Sequence, residues 1–408
     1  MPYHLVDLEL SGPLPALALG AEQDGFGLLV RWRSRLVGFV MRAAPVGSTL
    51  SETALRELVE REFAPRVLAI KAAAALDARL PARPAHAAPS LTIAICTKDR
   101  APRLERLLAS LDTVRGGSRF RSLELLVVDN ASVDASTRDA AHSIDGVRYV
   151  REPRAGLDFA RNAAVRAATG ELLAFLDDDV VVDRHWLDGL YEVWSDCPDA
   201  GGYTGLVLPF RLDTRAQVEF ERFGGFGRGF SRIHHRAAKL GNPLHPVGAG
   251  IVGAGCNMTF DRALLVALGG FDEALDTGAP LPGGGDLDIF YRVLRAGRSI
   301  VYEPHYAVFH EHRETLAQLR RQYWSWGLGF MAFLVKAQRT DPALRPRHTA
   351  MIRWWFVHQL GALANAAMRL QLKRSRFVAA ELRGGIQGLL GEYDRSIERS
   401  RRIREQAA

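Results

Sequence analysis

The chain has 408 residues, 48% hydrophobic and 24% charged, an ordinary globular balance with room for two or three domains, and its net charge of +7 is carried by the segment from Arg345 to Ala408, which holds thirteen Lys and Arg against five Asp and Glu. The three cysteines, Cys96, Cys197 and Cys256, are too few and too widely spaced for a disulfide framework or a zinc site, which points to a reducing compartment and an expected cytoplasmic location. The start has no basic stretch followed by an apolar one, and no window of about 18 residues is both free of charge and continuously apolar, so neither a secretory leader nor a membrane span is expected.

Residues 1–88 read as a small α+β accessory unit. Gly27–Trp32 and Leu36–Met41 predict two strands around Arg33-Ser34-Arg35, a hairpin. Thr49 to Leu68 carries apolar residues at helical spacing, with Ser51 or Thr53 as the N-cap. Ala72 to Ser90, rich in Ala, Pro and Arg, reads as a helix end running into a linker. No catalytic constellation stands out in this unit.

Residues 89–315 alternate strand and helix. Leu91–Thr97 is a β-branched strand, Lys98 to Pro102 a polar turn, and Leu104, Leu107, Leu108 and Leu111 mark a helix. Leu123–Asp129 is a second buried strand, Thr137–His142 a helix, Val147–Val150 a third strand and Gly156–Ala168 another helix. Next comes Leu172–Leu176, an unbroken apolar run followed by Asp177, Asp178 and Asp179. Such a run fits a strand buried on both faces, and the alternation argues for a mainly parallel sheet with right-handed crossovers. Thr97, Asp129 and Asp177 should then open on one sheet edge, where open α/β sheets bind ligands.

Three adjacent carboxylates repel one another and suit a hard divalent cation sharing its shell with phosphate oxygens; the alternative is a solvated turn or helix start. No glycine-rich phosphate loop of the dinucleotide or P-loop type is present, so any phosphate must be neutralised by a cation on the aspartates, helped by Arg100 or Arg161. Arg184–Trp194 predicts a helix and Gly201–Pro209 a strand pair. Gly224–Phe230, Gly248–Met258 and Gly278–Gly285 are glycine-dense and expected to be mobile or to approach a ligand closely. Asp286 and Asp288 open a helix that Gly297 stops, either as site carboxylates or with one of them as an N-cap. Ser299–Pro304 is a strand, and His310 and His312 sit at i, i+2, where one imidazole could complete a metal shell.

Residues 316–408 form a helical C-terminal region. Leu316–Phe333, Ile352–Leu372 and Val378–Ile403 are its helical segments, rich in Trp and Arg. They suit packing on the preceding domain, pairing between subunits in a homo-oligomer, or peripheral contact with the inner face of a membrane. No nucleic-acid partner is expected.

With these pieces placed, residues 91–330 resemble the family 2 glycosyltransferases of the GT-A fold, a Rossmann-like α/β sheet flanked by helices. The resemblance rests on Thr97-Lys-Asp-Arg100, Val127-Val-Asp129-Asn130, Ala160-Arg161-Asn162, Phe175-Leu-Asp-Asp-Asp-Val180, Gly269-Gly-Phe-Asp272, Gly285-Asp286-Leu-Asp288 with Arg295-Ala-Gly297, and His310 before Arg313. It implies an inverting, metal-dependent transfer from a nucleoside diphosphate sugar, with a uridine nucleotide expected, to a hydroxyl of a glycan or lipid-linked acceptor. Thr97, Arg100 and Asp129 would contact the base and ribose, with Arg161, Asp177 and Asp178 also on the donor. Asp179 and His310 would hold Mn²⁺ or Mg²⁺. Asp286 matches the general base of a Glu-Asp pair, but Gly285 stands where the family usually has Glu, which leaves the base open between Asp286 and Asp288. Two further readings are a sugar nucleotidyltransferase, whose basic glycine-rich loop is missing after the first strand, and a degenerate nucleotide-binding scaffold.

Overall fold

The computed structural model describes residues 2–77, 79, 86–238, 242–278 and 281–407. The N-terminal segment comprises β1 (His4–Glu9), β2 (Leu17–Ala18), β3 (Gly25–Trp32), β4 (Arg35–Ala43), β5 (Thr49–Leu50) and α1 (Glu52–Asp77). β3 and β4 are the expected hairpin, turning through Arg33 and Ser34 with φ of 48° and 64°. β1 adds a parallel partner to β3 that local pattern did not announce. The Ser51 hydroxyl accepts from the Ala54 N–H, so Ser51 caps α1. The helix runs on to Asp77, within the stretch expected to hold its end, and residues 78 and 80–85 of the expected linker lie outside the described residues.

The main sheet contains β6 (Ser90–Thr97), β7 (Ser122–Asn130), β8 (Val147–Glu152), β9 (Leu172–Asp177), β10 (Val180–Val182), β11 (Gly202–Pro209), β12 (Ile233–His235), β13 (Asn257–Asp261) and β14 (Ile300–His310). Its order is β10-β14-β11-β13-β9-β6-β7-β8, with β12 also on β14. β8, β7, β6 and β9 run parallel, whereas β13 is antiparallel to both β9 and β11, and β10 and β12 are antiparallel to β14. The sheet is therefore parallel on one side and mixed on the other. The strand pair expected over Gly201–Pro209 is one strand, β11, whose eight residues are all buried.

Helices α2 (Ala101–Arg115), α3 (Ser136–His142), α4 (Leu157–Ala167), α5 (Trp186–Asp196), α6 (Arg215–Arg222), α7 (Arg262–Ala267) and α8 (Gly285–Arg295) connect the strands. One core, with Leu104, Leu107, Leu108 and Leu111 of α2 against Ile93, Ile95 and Trp186, covers one sheet face. A second, with Ala160 and Ala164 of α4 against Phe175, Phe260 and Phe290, covers the other. β9 contributes to both, which explains its unbroken apolar run.

The C-terminal helices are α9 (Leu316–Thr340), α10 (Arg345–Met368), α11 (Leu372–Gln387) and α12 (Tyr393–Gln406). The single helix expected over Val378–Ile403 is broken at Leu390 and Gly391, where Gly391 takes φ 78°. α9 and α11 meet through glycines: a Cβ on Gly327 would lie 2.0 Å from the Glu381 carbonyl oxygen, and one on Gly384 would lie 1.9 Å from that of Trp324. The N-terminal sheet joins the main one through Leu29 and Leu36 against Leu206 and Leu208, and through a buried ion pair of Arg31 with Asp183 at 2.5 Å.

Candidate active site

Parallel pairing sets Thr97 of β6 beside Asp129 of β7, and Cys96 beside Asp177 of β9, so the three polar strand ends share one edge. The aspartate run forms the turn from β9 to β10. Its three carboxylates then take three different environments.

Asp178 points inward. Thr97 Oγ1 donates to one oxygen at 2.7 Å and Arg100 donates to the other at 3.0 Å. Burial pushes its carboxyl up, while Arg100 draws it back. Asp177 stays about a third exposed, 3.9 Å from the Arg161 guanidinium. Burial pushes its carboxyl up to about 7 against the pull of Arg161, with Asp179 and Asp178 adding to the rise. Asp179 is buried, and its Oδ1 has no hydrogen-bond partner.

The antiparallel register of β10 on β14 pairs Val180 with His310 and brings the imidazole to Asp179, Nε2 lying 3.4 Å from Oδ1. His312 Nε2 lies 2.7 Å from Glu221 Oε1, and a carboxylate only accepts, so that nitrogen carries hydrogen. With a neutral His312, its Nδ1 accepts from His310 Nδ1 at 2.9 Å. His310 Nε2 is then a bare lone pair facing a bare carboxylate oxygen. Burial, reinforced by Arg313 and Arg103, holds His310 well below its ordinary range.

Two lone-pair atoms at that separation repel unless a cation lies between them, and one oxygen plus one imidazole nitrogen suits Mn²⁺ or Mg²⁺. Among the described residues no group of three or more His, Cys, Asp or Glu could hold a metal. One or two protein ligands are enough for a cation that shares its shell with phosphate oxygens and water. The residues present therefore fit the ion.

Asp129 lies at the end of the second strand of the parallel set, at the same edge. It is fully buried, accepting from Tyr149 Oη at 2.6 Å, the Ser132 N–H at 2.9 Å and Arg151 at 3.3 Å. It sits at the shared edge but has no free oxygen; it holds the 131–133 loop.

Asp286 and Asp288 are separated by the helix itself. Two residues at 3.6 per turn point about 200° apart. Asp288 is buried, 2.7 Å from Lys336 on one oxygen and 2.7 Å from Arg292 on the other. Asp286 is partly exposed and accepts from the Gly255 N–H at 3.2 Å. A Cβ on Gly255 would lie 3.1 Å from Arg161 and 3.3 Å from Asp286, so these two groups flank one point. Through Arg161, Asp286 joins the side of the molecule that carries Asp177.

Arg161 is buried and gathers carboxylates that pattern did not single out, Asp158 at 3.0 Å and Asp276 at 3.3 Å. Burial, with Asp276 adding to it, raises the Asp158 carboxyl well above its ordinary range, and Asp158 Oδ2 has no partner. Asp276 Oδ2 accepts from the Gly285 N–H at 3.0 Å. A Cβ at Gly285 would meet Asp158 Oδ2 at 2.1 Å and Asp276 Oδ2 at 2.7 Å, so the position is sterically closed to a side chain. Asp158 had a local signal, its i, i+3 spacing to Arg161; Asp276 and Glu221 reach the site only through tertiary contacts. The neighbour of Arg161, Asn162, hydrogen-bonds the Phe271 backbone at 2.7 and 3.0 Å, joining two of the sequence motifs. Phe226 of the glycine-rich 224–230 segment packs on His310 at 5.1 Å between ring centroids, which anchors that segment to the site.

Residues 92–235 match the family model described as glycosyl transferase family 2, and residues 172–377 match glycosyl transferase family group 2. The pre-mycofactocin glycosyltransferase of Mycobacterium tuberculosis H37Rv is 28% identical over 321 residues, 72% of this chain and 60% of that protein. The succinoglycan biosynthesis protein ExoM of Rhizobium meliloti is 28% identical over 248 residues, 58% of this chain and 72% of that protein. Among solved structures, a mannosyltransferase from Pyrobaculum calidifontis in complex with GDP-Man and Mn²⁺ is 18% identical, covering 74% of this chain and 87% of that one with a TM-score of 0.48. With family models matched from the first strand of the main sheet through to α11, the chain belongs to the family 2 glycosyltransferases.

Proposed function

We propose that the chain is an inverting, divalent-cation-dependent glycosyltransferase that moves a sugar from a nucleoside diphosphate sugar to a hydroxyl of a glycan or lipid-linked acceptor. The observation that carries this reading is the buried, partnerless Asp179 Oδ1 facing His310 Nε2 at 3.4 Å. A cation bound by these two atoms supplies Lewis-acid stabilisation to the departing diphosphate. Thr97 and Arg100 fix Asp178, and through it the turn that carries Asp177 and Asp179. Arg100 is half exposed and, with Arg313 4.0 Å from Asp179, adds positive charge where phosphate oxygens would lie.

Asp286 is assigned as the base that takes the proton from the acceptor hydroxyl. It is partly exposed and held only by the backbone N–H groups of Gly255 and Leu287, whereas both oxygens of Asp288 are held by cations. One base and no covalent nucleophile correspond to inversion at the anomeric carbon. The closed space at Gly285 argues against the scaffold reading, because glycine there is required by Asp158 and Asp276.

The test is a panel of nucleoside diphosphate sugars with Mn²⁺ or Mg²⁺, read by thermal shift and by slow release of free nucleoside diphosphate without acceptor. One base should stabilise the protein in a cation-dependent manner and its sugar derivative should be hydrolysed. Stabilisation without hydrolysis of any donor would support the scaffold instead.

A further inference from the structure

Among the described residues, exposed large apolar side chains gather most densely in one stretch. Trp354, Val357, Leu360, Met368, Leu370 and Leu372 lie within nineteen residues and are 50–82% exposed. The inner face of α10 is buried through Met351, Trp355, Gln359 and Ala366. Its outward stripe, Trp354, Val357, Leu360 and Met368, is therefore apolar over four turns, about 20 Å at 1.5 Å per residue. A soluble surface helix carries polar residues there.

The turn into α11 continues the stripe. Leu370 takes φ 53°, a left-handed conformation that an apolar branched residue rarely adopts, and is the most exposed of the six at 82%. Along this stretch of chain the charge has one sign, although Lys373 pairs with Glu219 of α6 at 3.0 Å. From Pro342 to Ala380 there are seven Lys and Arg and no Asp or Glu. Arg353, Arg369, Arg374 and Arg376 are all exposed. Among the described residues no helix is long and apolar enough to cross a membrane.

We propose that the outward face of α10 and the α10–α11 turn form a docking surface for an anionic lipid bilayer, with the apolar ridge in the acyl boundary and the arginines on the headgroups. Charge decides between occupants. A second copy would present the same exposed arginines, whereas an anionic leaflet is complementary to them. The ridge is also fastened to the candidate site. α10 and α11 pack on α9, and a Cβ on Gly329 of α9 would lie 2.8 Å from the Gly283 carbonyl, in the segment that leads into Asp286. Docking would thus hold the catalytic cleft at a fixed height above the lipid. The surface stands independently of the proposed chemistry.

The experiment is flotation of the full chain with phosphatidylcholine vesicles with or without phosphatidylglycerol, at low and high salt. The protein should float only with phosphatidylglycerol and be released by salt. The R369Q/R374Q/R376Q variant should lose affinity by about a hundredfold, at roughly 1 kcal/mol per cation. The V357Q/L360Q/M368Q variant should lose at least about tenfold, since each side chain forfeits its burial in lipid. The melting temperature of each variant reports its fold, and Asp286→Asn should float like the wild type. Wild-type protein that stays unbound to anionic vesicles would overturn the proposal, as would variants that float equally well. So would a dimer in solution that the V357Q/L360Q/M368Q variant dissociates, which would make the face a subunit interface.

Discussion

Asp286 and Asp288 lie two residues apart on α8 and end in ionic clusters of opposite character. Asp288 sits with Asp272 between Lys336 and Arg292, two carboxylates against two cations. The Asp272 carboxyl is held below its ordinary range, by Lys336 against the effect of burial, and Tyr393 donates to it at 2.7 Å. On the other face of the helix, a single guanidinium, Arg161, has Asp158, Asp177 and Asp276 within 3.9 Å and Asp286 beside it. Burial raises the carboxyls of Asp158, Asp177 and Asp276 there. A balanced buried cluster is what folding alone tolerates. An unbalanced one gains nothing until positive charge arrives, which is the mark of a binding or catalytic centre.

The comparison can be broken most sharply at α8 itself. Asp286→Asn should lower sugar transfer by about a hundredfold or more, the contribution of a general base, while nucleotide binding persists. Wild-type-like turnover in that variant would move the base elsewhere. His312→Ala removes the group that fixes the His310 tautomer and should weaken Mn²⁺ binding by about ten- to a hundredfold, measured by titration without substrate. Unchanged affinity would mean that His310 is oriented without it. Asp288→Asn should act on folding, costing about 2 kcal/mol as Lys336 and Arg292 lose a charged partner, read by urea denaturation. If it instead abolished transfer in folded protein at unchanged stability, the two clusters would have exchanged roles.

The smallest effect concerns pH. Burial in α11 pushes the Glu381 carboxyl up to about 7, with Gln359 partly offsetting it. The folded state holds this proton more tightly than the unfolded chain. The group's contribution to stability is therefore complete below about pH 4.5 and is lost as pH rises through about 7. Glu381→Gln should raise stability at pH 8 by about 1–2 kcal/mol and leave it unchanged near pH 4. Equal melting curves at pH 8 would contradict this assignment.

The strand edge was legible because it depends on local signals: β-branched or apolar runs that end in Thr97, Asp129 and Asp177 fall into register once the strands are parallel. The Ser51 cap and the Arg33–Ser34 turn were legible for the same reason. What stayed hidden is non-local. No periodicity announces that β1 pairs with β3, that Asp129 is enclosed by Tyr149 and Arg151, or that Asp276 arrives from a glycine-rich loop to cap Gly285. The break at Leu390–Gly391 escaped because a glycine within a helical pattern is as often tolerated as used to end it.

The claim at the centre of this account is that Asp179 and His310 hold one cation together. Electron paramagnetic resonance of Mn²⁺ titrated with protein, with and without nucleoside diphosphate, measures it directly. The wild type should deplete the free Mn²⁺ signal, more strongly with nucleotide, and Asp179→Ala should weaken that binding by at least about a hundredfold, as expected for loss of a primary ligand whose outer-shell partners alone are worth ten- to a hundredfold. Equal depletion by wild type and variant would contradict the account.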